Sequence, residues 1–186
     1  MRFGRLGYYL LALGVILTLR ARELSAQVRI ISLAATAPGA LSVTVTSGAV
    51  QTIANVTDNA VNNFPIPVGI TTSWDLNPGQ SNSVGLIAYF SLPAQALVGP
   101  TLIPSSRVLG RMTTGVPTTY TAMTQNGVGG VGSAGGSLQL FSVNIGGGNK
   151  TDSRNDNLDL QLNLVGFPTL PAGAYVGVLN IRAVTQ

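Results

Sequence analysis

The sequence predicts an all-β fold, an Ig-like antiparallel β-sandwich of about eight to ten short strands. Three observations point there. Glycine (23) and proline (10) punctuate a chain of 186 residues at short intervals. Between them, apolar and polar residues alternate with the period of two that sends successive side chains to opposite faces of a strand. Runs of Ala, Glu, Lys and Leu at helical spacing are absent. Two sheets packed face to face would bury such strands, and a closed barrel is the alternative. "Ig-like" refers to architecture only, because a chain without cysteine has no Cys…Trp…Cys spacing. Trp74 is a candidate core tryptophan.

The elements follow in order. Residues 28–34, VRIISLA, read as a strand, and Pro38-Gly39 turns the chain. LSVTVT (41–46) sets Leu41, Val43 and Val45 against Ser42, Thr44 and Thr46. After Ser47-Gly48, residues 49–56 are a weaker strand candidate. A strand near Val68 to Trp74 precedes the turn Asn77-Pro78-Gly79. SVGLIAYFSL (83–92) is nearly all apolar, which marks a central strand covered on both faces. Residues 93–105 hold three prolines and read as a connection between sheets. Shorter strands are expected at 106–112 and 118–123. NGVGGVGSAGG (126–136) reads as a flexible loop. SLQLFSVNI (137–145) alternates cleanly, and Gly146-Gly147-Gly148 breaks it. A polar hairpin loop is expected up to Asn157. LDLQLNLVGF (158–167) then puts Leu158, Leu160, Leu162 and Leu164 on one face. The last strand follows Leu170-Pro171-Ala172-Gly173 and carries Tyr175, Leu179, Ile181 and Ala183 on one face.

Arg2 and Arg5 precede an apolar run from Leu6 to Leu19, and Leu24-Ser25-Ala26 offers small residues for signal peptidase. The run is shorter than the roughly 20 residues that span a bilayer. The expected organisation is a signal peptide over 1–26, cleaved after Ala26, and a single sandwich domain over 27–186. The alternative is an uncleaved anchor, since Arg20 and Arg22 follow the run. Both place the domain outside the membrane, so the expected location is extracellular, secreted or on the cell surface.

The formal charge of +4 comes largely from the leader-like segment, which holds four of the ten basic residues. Beyond residue 26, six basic residues face five acidic ones, a balance of +1. That leaves no basic stripe for a phosphate backbone, so no nucleic-acid partner is expected. With neither His nor Cys, zinc sites built on them and Ser-His or Cys-His nucleophiles are excluded. The few carboxylates indicate no acid placed in a pocket, so neither an enzyme nor a small-molecule substrate or cofactor is expected. Gly127-x-Gly129-x-x-Gly132 matches the dinucleotide fingerprint as text but lacks the following helix that would hold a pyrophosphate. Asp152, Asp156 and Asp159 are a candidate calcium set, against the reading of a polar loop whose Asp and Asn side chains satisfy their own backbone. Asn55-Val56-Thr57 and Asn149-Lys150-Thr151 are acceptor sequons.

Both ends of the expected mature chain read as strands. A terminal strand can complete a neighbour's sheet as readily as its own, because its ladder hydrogen bonds are self-contained. Head-to-tail contacts of that kind propagate without closing. The ending LNLVGFPTLPAGAYVGVLNIRAVTQ resembles the closing strand pair of secreted bacterial β-sandwich subunits of the chaperone–usher and spore-coat-U-like fimbrial families. ITTSWDLNPG followed by AYF is similar to a group of uncharacterised exported bacterial proteins. The chain lacks the cysteine pair common in classical fimbrial subunits. The fimbrial resemblance implies a surface polymer subunit. Residues 27–36 would supply an exchangeable donor strand through Val28, Ile30, Ile31 and Leu33, lying beside Tyr175, Leu179, Ile181 and Ala183. The expected function is a structural subunit of an extracellular filament or pilus whose main partner is another copy of itself, with a cell-surface or assembly partner. The other readings are a monomeric adhesin or binding module and a lipid-facing or membrane-anchored surface protein.

Overall fold

A computed structural model describes residues 26–35, 41–76 and 83–186. The expected leader over 1–26, apart from Ala26, and the turns at Pro38-Gly39 and Asn77-Pro78-Gly79 lie outside the described residues. Among these residues the chain forms thirteen strands: β1 (Ala26–Ala35), β2 (Leu41–Ser47), β3 (Val50–Ile53), β4 (Val61–Asn63), β5 (Val68–Asp75), β6 (Ser83–Tyr89), β7 (Leu97–Val98), β8 (Leu102–Ile103), β9 (Val108–Met112), β10 (Thr121–Ala122), β11 (Ser137–Asn144), β12 (Thr151–Asn163) and β13 (Gly173–Thr185). The count exceeds the expected range because β7, β8 and β10 are two-residue pairings and β4 has three residues, too short to leave an alternation in the sequence.

The strands form two separate sheets. The first has the order β11-β6-β13-β1-β3, with β7 on β13 and β8 on β7. The second has the order β10-β9-β12-β5-β2, with β4 on β12. The all-β sandwich expectation is met. The antiparallel expectation is corrected at one place. β1 runs parallel to β13, while the other strand pairs among the described residues are antiparallel. Connections cross repeatedly between the layers, so β1 can lie beside a strand far away in sequence.

One core fills the space between the sheets. The second sheet contributes Leu158, Leu160, Leu162 and Leu164, each no more than 1% exposed. The first contributes Tyr175, Leu179 and Ile181, all fully buried. Trp74 is buried here too, and its Nε1–H donates to the Asn149 carbonyl at 2.8 Å. That bond satisfies the polar edge of a ring whose body is in the core.

The continuous apolar run of β6 has a direct cause. Val84, Leu86 and Ala88 face the main core, while Ile87 faces outward and joins a second cluster with Val131 and Val184. Val131 belongs to the glycine-rich stretch 126–136, so the expected flexible loop is corrected: it folds against the outside of the first sheet. Val128 and Val131 bond to each other's backbone at 2.8 and 3.0 Å. Ser137 Oγ accepts from the Ser133 N–H at 2.8 Å and donates to the Ser133 carbonyl at 2.8 Å. Glycine lets this segment bend tightly enough to lay its two valines on the sheet.

The expected loop over 151–157 is also corrected, since Thr151 to Leu158 pair residue by residue with β5. The ladder supplies their backbone hydrogen bonds, and most of their side chains face water. Polar cross-strand contacts reinforce it, Thr151 Oγ1 to Asp75 Oδ1 at 2.6 Å and Thr71 Oγ1 to Asn155 Oδ1 at 2.6 Å.

Two substitutions test the docked glycine segment. At Gly132 φ is +101°, and an added Cβ would lie 2.5 Å from Ser137 Oγ and 2.8 Å from Gly127 Cα. At Gly130 φ is +76° with nothing within 4 Å. In urea unfolding, Gly130→Ala is expected to cost about 1 kcal/mol for backbone strain alone, and Gly132→Ala about 2–3 kcal/mol for strain plus overlap.

Candidate strand-exchange interface

β1 occupies a slot between β13 and β3. It makes ten register pairs with β13, from Ala26↔Gly173 to Ala35↔Arg182. On its other side it makes four with β3, from Val28↔Ile53 to Ile31↔Val50. In this structure the pairing is made within the chain. Alternation splits the expected interface residues between two faces. Val28 and Ile30 point into the core and are fully buried, each contributing about 1.5–3 kcal/mol by leaving water. Ile31 is half-buried on the outer face, and Leu33 on the same face is 52% exposed. Across the seam, Tyr175, Leu179, Ile181 and Ala183 all face the core and are buried.

Tyr175 fixes the entry of β13. Its ring is fully buried opposite Val28. Its hydroxyl donates to the Pro171 carbonyl four residues upstream at 3.0 Å, the pattern of a tyrosine corner in sandwich folds. Desolvation of the ring raises the Tyr175 pKa above its ordinary value. The preceding turn is tied down by the Asp58 carboxylate, which accepts from the Leu170 N–H at 3.0 Å.

The two seams of β1 differ. The β3 side is short, and there Ser32 Oγ and both polar atoms of the Gln51 side chain are buried without a hydrogen-bond partner. Ile30 faces Gln51 in register, and Ser32 lies two residues further along the same face. An unsatisfied buried polar group costs about 1–3 kcal/mol, which weakens this side against the longer β13 side.

The candidate calcium residues are not brought together. Asp159 points out of the second sheet and binds Arg111 at 2.6 Å. That bond, with the Tyr120 ring stacked on the guanidinium at 4.7 Å, holds the Arg111 pKa above its ordinary value. Asp156 points inward and is 2% exposed. It accepts Arg154 Nε and Nη2 at 2.6 Å each and Thr114 Oγ1 at 2.8 Å. Asp152 Oδ1 accepts from the Ser153 N–H at 2.7 Å. The correction has a simple cause: a strand sends odd and even residues to opposite faces, so Asp156 and Asp159 cannot converge. Among the described residues no three His, Cys, Asp or Glu side chains group to hold a metal ion.

Sequence reasoning missed the Arg154–Asp156 pair. The arginine lies on the Phe141 ring at 4.2 Å, so the pair closes one end of the core with a charge-assisted plug. Their spacing of two inside a strand would have been the signal, had the segment been read as a strand. At the sequons, the Asn149 side chain is held within its hairpin, donating to the Asn144 carbonyl at 2.8 Å and accepting from the Gly146 N–H at 2.7 Å; Asn55 lies exposed just after β3.

Asp156→Ala is expected to destabilise the fold by about 3 kcal/mol, because it strands a partly buried guanidinium, while Arg154→Met with Asp156→Leu recovers most of the loss. Equilibrium unfolding in urea measures both. Tyr175→Phe is expected to cost about 1 kcal/mol at neutral pH for the lost hydrogen bond. In the wild type the folded state holds the phenol proton more tightly than the unfolded state. That contribution is complete below the ordinary tyrosine value and falls as pH rises from about 10 through the higher folded value. The wild-type advantage over Tyr175→Phe should therefore shrink in that alkaline window, as followed by unfolding at a series of pH values. No protein-family model matches the chain, and no curated protein matches it in sequence.

Proposed function

We propose that this chain is a structural subunit of an extracellular filament, assembled by exchange of β1 between copies. The observation that supports the reading is the slot: a strand near the start of the domain fills the space between β13 and β3, in parallel with β13 and with its inward side chains fully buried. A copy lending β1 to its neighbour would remake every register pair, so exchange leaves the contacts unchanged and alters only the connection. The short β3 seam with its unsatisfied Ser32 and Gln51 groups lowers the barrier to release. The leader-like residues 1–26 support export, and the resemblance of the last strands to secreted fimbrial subunits agrees with a surface role.

The test uses the absence of cysteine. Ile31 and Val178 are neighbours in register and share the outer face, and adjacent strands lie about 4.8 Å apart, within disulfide range. The double variant Ile31→Cys/Val178→Cys, oxidised as a dilute monomer, is expected to lock β1 at home and abolish polymer formation by electron microscopy. Oxidised after polymers have grown, it is expected to run as a covalent ladder on a non-reducing gel. Polymers that grow unhindered from the locked monomer, or a wild type that stays monomeric at every concentration, would sink the reading.

A further inference from the structure

The outer faces of the two sheets differ in chemistry. On the second sheet, Asp159, Asn155, Thr71, Gln161 and Asn63 engage one another or Arg111 in polar contacts. On the first sheet, Leu33, Val50, Val98, Leu102, Val176 and Val178 are each 41–52% exposed. Strand register makes them neighbours: Val98 faces Val176 and Leu102, and Ile31 faces both Val178 and Val50. The other half of this outer face is already covered by the chain's own Val128 and Val131. The uncovered half therefore belongs to a surface that the protein elsewhere keeps from water.

Two guanidinium groups frame the patch. Arg29 stands in register with Val176 at one end, and Arg182 stands on β13 beyond Asn180 at the other. Both are exposed, and neither is in an ion pair; among the described residues the pairs are Arg111–Asp159 and Arg154–Asp156. No strand of this sheet carries an Asp or Glu. A cleft of about 290 Å³ opens beside the valines, between β13 and the segment leaving β6, lined by Phe90, Leu92, Ala96, Val98, Val176 and Val178 among others.

We propose that this face docks on an anionic phospholipid surface. The occupant follows from the charge. A second copy laid face to face would bring four arginines together with no carboxylate to offset them, which costs free energy. A bilayer with phosphate headgroups supplies the opposite charge in a plane, and its acyl boundary takes the valines and leucines. The cleft beside Val98, Val176 and Val178 gives one acyl chain a place.

Vesicle co-sedimentation tests this with the full chain and with the chain beginning at Gln27, using phosphatidylcholine vesicles with and without phosphatidylglycerol. Binding is expected to require phosphatidylglycerol and to weaken with added salt. Arg29→Gln with Arg182→Gln is expected to weaken it about thirtyfold, from about 1 kcal/mol per arginine. Leu33→Ser with Val178→Ser is expected to weaken it as well. Both variants retain the apolar run Leu6–Leu19 in the full chain, so their difference from wild type reads the sheet face alone. Binding that ignores phosphatidylglycerol, or variants that bind like the wild type, overturns the proposal. So does a lipid-free dimer, seen by sedimentation velocity, that the serine variant dissociates, since the face would then be an interface between copies. A vesicle-free control at each condition subtracts protein that pellets as filaments, so failure of the filament reading and failure of lipid binding are told apart.

Discussion

β13 is bonded along both sides, and the first sheet depends on what lies beside it. β6 and β7 pair with one edge and β1 with the other. Its inward side chains, Tyr175, Leu179 and Ile181, are completely buried. Without β1, one edge of this strand would present a row of unpaired backbone groups above an opened core, a combination that neither water nor the remaining strands can satisfy. Some copy of β1 must fill the slot. Here the chain's own β1 fills it, and the proposed exchange would keep the slot filled by a neighbour's copy of the same strand.

The same constraint shapes the outside of the molecule. β1 and β13 turn their alternate residues outward, and the strand that closes the core also lays Ile31, Leu33, Val176 and Val178 on the surface. The second sheet has less of this surplus: Val61 is exposed at its edge, but Thr71–Asn155, Thr151–Asp75, Gln161–Asn63 and Arg111–Asp159 pair polar side chains across its outer face. One sandwich thus presents two unlike faces, one wet and one apolar with arginines at its ends. The glycine-rich segment covers only the far half of the apolar face.

The Arg154–Asp156 pair shows how the second sheet tolerates charge at its inner end. The inward stripe of β12 is leucine from Leu158 onward but changes to Asp156 and Arg154 toward its start. The pair is bidentate, capped by Thr114 and laid on Phe141, so its lone pairs and protons are used. This arrangement fixes register more than it adds stability, since a slip by one residue would turn Asp156 and the leucines out to water and bring Asp159, Gln161 and Asn163 into the core.

The alternating leucines of 158–164, the double-sided run of 83–89, the buried Trp74 and the inward set Tyr175, Leu179 and Ile181 were legible in the amino-acid sequence alone. Each depends only on which face a side chain takes, and period two encodes that locally. The strand character of 151–157 was hidden because its inward positions are charged and satisfied by one another, so the alternation carries no apolar signal. The docking of 126–136 was hidden because two valines among glycines become a core only where Ile87 and Val184 stand opposite. The parallel pairing of β1 with β13 was out of reach for the same reason: its partners are separated by almost the whole domain. Local chemistry determined faces and turns. Tertiary structure decided neighbours, because a strand's edge offers the same hydrogen-bonding groups to any partner, and only the closed core selects one.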